Sequence, residues 1–309
     1  MAMVGTALST PGLRDEFFQK LGEVGSQTYW QDLCTTIKST TKKETYAFLG
    51  SVPQVREWGT GRKAKGLFEE AYDVENFKYE ATLEVDRDEI EDDQTGQIMV
   101  RVRELAERAA RHKDFLIGEL LKNGHSAGYH SYDGVPFFAA THSSGVSGAQ
   151  DNDVASTATD PDAPTAAEFR TALGAAIGTL LAFKDDQGEP MSMSATGLVC
   201  VVPPSMLIRA SEALATTVAT GGQNVLSGAA KLIAFPWLTA TDVWYLLKTD
   251  VSVRPFIFQD RKEIEFTALE ANSDEGFRRD KYLYGVRARY RVTYGYWQYA
   301  LRLSFTSPT

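Results

Sequence analysis

Residues 97–122 read QIMVRVRELAERAARHKDFLIGELLK, and the rest of the chain is organised around them. Ile98, Val102, Leu105, Ala109, Leu116 and Leu120 recur at three- and four-residue steps, which predicts an amphipathic helix with these side chains on one face. Met99, Ala106, Ile117 and Leu121 widen the stripe. The opposite face is charged, with Glu104 before Arg108 and Glu107 before Arg111 at the favourable i,i+4 spacing. Glu91, Asp92 and Asp93 stand ahead of the first turn and Lys122 lies in the last, both as the helix dipole favours. Asn123-Gly124 suggests a left-handed stop. At ~1.5 Å per residue the helix is roughly 39 Å long, enough to cross a domain. Taken alone, the segment reads equally well as an ordinary core helix.

A chain of 309 residues has room for two sub-domains with cores of their own. Its 43% hydrophobic and 24% charged residues are ordinary for a globular protein. A formal net charge of −9 and a pI near 5.1 argue against a protein whose main task is coating nucleic acid, although a local basic patch stays possible. The longest apolar runs, such as Leu198–Val202, are far too short to cross a bilayer, so no membrane partner is expected. Residues 1–10 carry no basic n-region and no sustained apolar core, and no signal peptide is read there. Cys34 and Cys200 are far apart, which supports neither a metal knuckle nor a disulfide framework.

Outward from the helix, residues 1–45 read as an arm. It holds a turn at Thr10-Pro11-Gly12, a short helix over 13–21, and a Thr/Ser/Gly-rich stretch with Tyr29 and Trp30. It cannot close a core alone and is expected to lie extended on another surface. Residues 46–86 predict a long β-hairpin. Phe77, Tyr79, Ala81, Leu83 and Val85 alternate with Lys78, Glu80, Thr82 and Glu84. Phe68, Glu70, Tyr72 and Val74 keep the other phase, and the slip at Glu75-Asn76 suggests a bulge or bend. The outgoing arm holds Val52, Pro53, Val55 and Trp58. The tip, 59–66, carries Arg62, Lys63 and Lys65. Each arm would reach about 50 Å at ~3.3 Å per residue. A lone hairpin of that length is marginal in water and calls for a partner surface. Trp58, Arg62, Lys63 and Lys65 are therefore expected at a contact with a neighbouring subunit; a solvated turn is the plain alternative for the tip.

The tip loosely fits two nucleotide-binding patterns. Gly59-x-Gly61-x-x-Ala64 lies in a hairpin rather than a strand-to-helix turn. Gly61 and Gly66 have phosphate-loop spacing, but Leu67-Phe68 replace the required Lys-Ser/Thr. After the helix, His125, His130, Asp133 and His142, with His112 upstream, raise a metal site, yet the spacing fits no defined zinc pattern. A turn at Tyr132-Asp133-Gly134 and a short strand with Val135, Phe137 and Phe138 are the plainer reading. Residues 143–164 read as a surface loop.

A second sub-domain is expected from Thr165. Thr165-Ala166-Ala167-Glu168 is a capping box, and Phe169, Leu173, Ala176, Ile177 and Leu180 follow on one helical face. Leu198–Val202 reads as a buried strand, Pro203-Pro204 leads into a further helix carrying Leu207, Ile208 and Leu214, and 231–236 and 243–247 read as strands. Strand candidates return at 251–258 and 264–269. Tyr284, Val286, Ala288, Tyr290, Val292 and Tyr294 then alternate with Gly285, Arg287, Arg289, Arg291 and Thr293. The phase flips at Gly295, where a bend is expected.

Three stretches resemble the major head subunit of Mu-like phages, the gpT family, whose shells use the HK97 capsid fold. They are Tyr132-Asp133-Gly134 with Phe137, Phe138 and His142; Phe235-Pro236-Trp237-Leu238-Thr239 with Trp244-Tyr245-Leu246-Leu247; and Tyr284-Gly285-Val286-Arg287-Ala288-Arg289 with Tyr294-Gly295-Tyr296-Trp297-Gln298. With the order of arm, hairpin and long helix, the resemblance covers nearly the whole chain. It implies an α+β, HK97-like fold: an N-terminal arm (1–45), an extended E-loop hairpin (46–86), a P-domain with its spine helix (87–164, helix 97–122), an inserted A-domain (165–247) and a return to the P-domain sheet (248–309).

The same resemblance implies a major capsid protein that assembles with itself into hexamers and pentamers of an icosahedral head enclosing double-stranded DNA. It implies no catalytic residues, no metal and no cofactor. Scaffolding protein, portal, packaged DNA and a possible decoration protein are the implied partners. The implied locations are the virion and, during assembly, the host cytoplasm. An encapsulin-like nanocompartment is the alternative on the same fold. A metal-dependent hydrolase built on His125, His130, Asp133 and His142 is the alternative of another class, though no nucleophile-elbow or Cys/His signature supports catalysis.

Overall fold

The computed structural model describes residues 10–46, 72–91, 96–191, 194–215, 223–270 and 273–308. In chain order its elements are α1 (Thr10–Gly25), α2 (Trp30–Leu33), β1 (Cys34–Lys38), β2 (Lys43–Tyr46), β3 (Tyr72–Glu75), β4 (Phe77–Asp86), α3 (Arg87–Glu91) and α4 (Gln97–Asn123). β5 (Asp153–Thr157), α5 (Ala166–Leu181), β6 (Leu198–Val202), α6 (Leu207–Leu214), β7 (Lys231–Ala234) and β8 (Val243–Lys248) follow. β9 (Phe256–Leu269), α7 (Asp274–Arg279), β10 (Lys281–Tyr294) and β11 (Ala300–Thr306) complete the order. Among the described residues no helix is long and apolar enough to cross a membrane.

The long helix α4 is present, and its most deeply buried line runs in four-residue steps through Ile98, Val102, Ala106, Ala110 and Asp114, then Ile117 and Leu121. Leu105, Ala109 and Leu116, expected at its centre, are half-buried flanks. Glu107 reaches Arg111 at 3.9 Å; among the described residues no such pair forms between Glu104 and Arg108. The expected left-handed stop is absent: Gly124 has φ −61°. Glycine stands there for room, because a Cβ would lie 2.8 Å from both the Leu120 carbonyl and the Phe138 ring.

The first sheet has strand order β1-β9-β10-β4. β1 runs parallel to β9 and the other pairs are antiparallel. α1 and α4 lie together on one face, where Leu13 and Phe17 meet Ile98, Val102, Ala106, Phe266, Tyr284 and Val286. Residues 10–45 thus differ from an extended arm. α1 is a 16-residue helix tied to α4 by Arg103 with Glu16 and by Lys20 with Glu107 at 3.3 Å, and β1 is woven into the sheet. The buried Asp114 carboxylate accepts the backbone N–H of Trp30 at 2.8 Å and of Tyr29 at 3.2 Å, capping α2 from across the fold. Burial pushes its carboxyl upward against those two bonds. Beside it, Lys113 Nζ sits 4.0 Å from the Trp30 ring and 4.2 Å from Phe258.

Two expected strands at 251–258 and 264–269 are one 14-residue strand, β9. Of the polar residues that interrupt its apolar pattern, Gln259 and Asp260 are buried and partnered. Gln259 accepts from the Tyr46 hydroxyl at 2.5 Å and donates to Val74 O at 3.3 Å, and Asp260 takes Lys38 at 2.5 Å. The β2–β3 ladder stands on the sheet's other face, with Tyr46 and Val74 over Ile257 and the Tyr72 hydroxyl 2.9 Å from Thr293 Oγ1. At Asn76 the chain leaves that ladder for the first sheet. The Asn76 side chain donates to Ser39 Oγ at 2.8 Å and Thr41 O at 3.0 Å. β4, expected as the hairpin's return arm, is therefore an edge strand paired along its length with β10.

The second sheet has order β5-β11-β8-β6-β7. Every residue of β6 and β8 is buried. α5 begins at the expected capping box: Thr165 Oγ1 accepts the Glu168 N–H at 3.2 Å, and Glu168 accepts the N–H of Thr165 at 2.8 Å and of Thr159 at 2.7 Å. Phe169 packs on Trp244, ring centres 4.6 Å apart. On α6, Ala210 and Ala213 are buried and Leu214 packs against the core, while Ile208 is 64% exposed. Small side chains face inward there because α6 packs close to α5. The bend at Gly295 carries the chain from the first sheet into the second. A Cβ there would lie 2.2 Å from Arg254 O. β5 and β11 both belong to the second sheet, so it draws residues from outside the expected 165–247 segment.

Candidate assembly surfaces

The sequence points to contacts between chains rather than to a reaction centre, and the first candidates lie on the hairpin. Trp58, Arg62, Lys63 and Lys65 fall outside the described residues. What is described is the base from which that segment departs, held on the sheet by Tyr46, Tyr72 and Val74.

The histidines do not gather. His142 is fully buried, with Nδ1 2.6 Å from Asp133 Oδ2, Nε2 3.2 Å from Phe137 O, and its ring stacked 4.1 Å from Trp297. These contacts use both ring nitrogens within the 132–142 loop and seat the ring on Trp297, just before β11. His112 Nδ1 lies 2.7 Å from the Tyr290 hydroxyl, and burial lowers its pKa from the ordinary histidine value. His125 and His130 are exposed. Among the described residues no three His, Cys, Asp or Glu side chains are placed to hold a metal ion. Cys34 and Cys200 are buried free thiols, both pushed up by burial.

The arginine ladder of β10 lies on the sheet face away from α4. Register places Lys78, Arg289 and Lys262 in one row across β4, β10 and β9, and Glu80, Arg287 and Glu265 in the next. The second row alternates in sign and the first is all positive, an arrangement that is unfavourable in isolation. Lys262 is relieved by Glu265 at 2.6 Å, and the Arg291 guanidinium lies 4.1 Å from the Phe77 ring. Elsewhere Val225, Phe277 and Ile208 stand exposed on separate elements. A groove between α4 and β4 was not signalled by the sequence, because its helix side reads as an ordinary charged face and its floor as strand alternation.

The profile of the Mu-like prophage major head subunit gpT matches residues 8–169, 166–238 and 239–305. The chain belongs to this family of head subunits. It is 26% identical over 292 residues to the Mu-like prophage FluMu major head subunit of Haemophilus influenzae, covering 94% of this chain and 70% of that protein. It is 24% identical over 289 residues to the major capsid protein of Escherichia phage Mu, covering 93% and 70%. In structure it is similar to a subunit of the bacteriophage PhiM1 mature capsid, with TM-score 0.58, 10% identity, and 91% and 88% of the two chains covered. The fold of this gpT-family subunit is thus the HK97-like capsid fold, with mixed helix and sheet. Its relatives in the family are structural capsid proteins.

Proposed function

We propose that copies of this head subunit close into hexamers and pentamers of an icosahedral phage head that encloses double-stranded DNA. The family match, which runs from residue 8 to residue 305, carries this reading. The physics of the chain supports it. The strands at 43–46 and 72–75 pair at the base of the expected hairpin, and a lone two-stranded hairpin is marginal in water. Identical chains joined through different patches form rings when the rotation closes. In this reading residues 46–86 serve as the E-loop hairpin, 87–164 and 248–309 as the P-domain around α4, and 165–247 as the A-domain. Trp58, Arg62, Lys63 and Lys65 touch an adjacent subunit. Scaffolding protein and portal act during assembly in the host cytoplasm, a decoration protein is a further partner, and the acidic balance of the chain keeps packaged DNA from adhering to the wall. The subunit does its work by packing, without a catalytic residue.

Electron microscopy of the subunit expressed with its phage's other head proteins tests the reading. Closed shells are expected; monodisperse monomers alone would overturn it. Replacing Arg62, Lys63 and Lys65 together by Glu is expected to abolish shells while leaving the circular dichroism of the subunit unchanged. A normal shell yield from that variant would remove the tip from the contact.

A further inference from the structure

α4 leaves part of the first sheet uncovered. A groove of about 540 Å³ runs between α4 and β4. Its floor is Ala81, Leu83, Val286 and Ala288, where small side chains leave depth. Its helix wall carries Arg101 and Arg108, both exposed and in no ion pair among the described residues. Glu104 lies between them on the same wall. The opposite side is open: β4 is a ten-residue edge strand whose free side has no partner among the described residues. A long edge without proline or bulge is a ready surface for association.

We propose that this groove receives the acidic run 86–93 of a second copy of the chain. Six of those eight residues are acidic: Asp86, Asp88, Glu89, Glu91, Asp92 and Asp93. It is the densest acidic stretch in the sequence. Asp88 and Glu89 are exposed on α3 and take part in no ion pair among the described residues. Arg101 and Arg108 are two helical turns apart, about 10.5 Å along α4, and offer two anchor points for such a run. The attraction is between oppositely charged surfaces, which orients the approach and disfavours the wrong partner. Because the two patches differ, the contact is head to tail, the kind that builds rings. The inference rests on the shell-forming reading above.

A charge swap tests it in full-length subunits expressed with the other head proteins. Replacing Arg101 and Arg108 by Glu is expected to lower shell yield by about tenfold or more, as is replacing Asp88 and Glu89 by Lys. The four changes together should return the yield to within about threefold of the unmodified chain, since the attraction is restored with its signs exchanged. Undiminished yield from either pair, or no rescue from the combination, overturns the proposal. If the Glu pair leaves the subunit insoluble, Arg101→Gln with Arg108→Gln replaces it; a partial loss is then expected, and an unchanged yield is again the overturning result. Failure of the unmodified chain to form shells would count against the shell reading itself, whereas a failed swap counts only against the groove.

Discussion

The two sheets of this subunit are finished to different degrees. In the second, β6 and β8 are buried end to end, and Phe169, Trp244 and Phe305 form a continuous aromatic core with α5. In the first, among the described residues, two helices cover only part of one face, β4 has one edge without a partner, and the far face holds a row of like charges. The contrast separates two tasks. Among the described residues the second sheet is the more completely buried layer, while the first leaves part of a face and the β4 edge uncovered.

The strongest test of that contrast is truncation in each core. Phe169→Ala removes a fully buried ring from the closed core and is expected to cost roughly 3–5 kcal/mol in denaturant unfolding of the unassembled subunit. Phe17→Ala, in the core shared by α1 and α4, is expected to cost about 3 kcal/mol, because α1 can settle toward the space left behind. A larger loss for Phe17 than for Phe169 would reverse the ranking of the two layers. The junction comes next. Gly295→Ala forces a Cβ against Arg254 O and is expected to cost about 1–3 kcal/mol, read as a lower denaturant midpoint with unchanged slope.

The smallest effect lies at the α5 cap. Thr165→Ala should cost about 1 kcal/mol at neutral pH. The backbone N–H groups of Thr159 and then Thr165, with their hydroxyls, hold the Glu168 carboxyl well below its ordinary 4.5, at about 2. A depressed carboxylate pKa stabilises the fold fully above the unfolded value and loses that contribution as pH falls through the folded one. The stability gap between the unmodified chain and Glu168→Gln should therefore be full at pH 6 and close as pH falls from about 4.5 toward about 2. A gap that persists at pH 2 would mean that the box acts through shape rather than charge.

Local pattern made much of this fold legible. The 3.6-residue period of 97–122, the capping box at Thr165 and Glu168, and the alternation of 284–294 each correspond to an observed element. What escaped depends on contacts distant in sequence. β1 is a polar pentapeptide whose partner, β9, lies more than two hundred residues away, and nothing in Cys34-Thr35-Thr36-Ile37-Lys38 announces a parallel pairing. β9 looked broken because Gln259 and Asp260 are polar, and only the arrival of Tyr46, Val74 and Lys38 makes their burial tolerable. On α6 the buried Ala210 and Ala213 carry little hydrophobic signal, although close packing with α5 needs their small size. The groove was not legible, since Arg101 and Arg108 follow the pattern of any solvated helix face.

The place of β11 sets an order on synthesis. Residues 300–306 lie between β5 and β8, so until the ribosome has made them the five-stranded sheet is split into the three strands β8-β6-β7 and an orphan β5. β1 likewise waits for β9. A nascent chain must keep both half-built sheets from straying until its late strands emerge, which makes folding slow and exposed to aggregation. Fragments that stop short cannot complete the second sheet, and this restricts recruitment to chains that have been translated at least through residue 306.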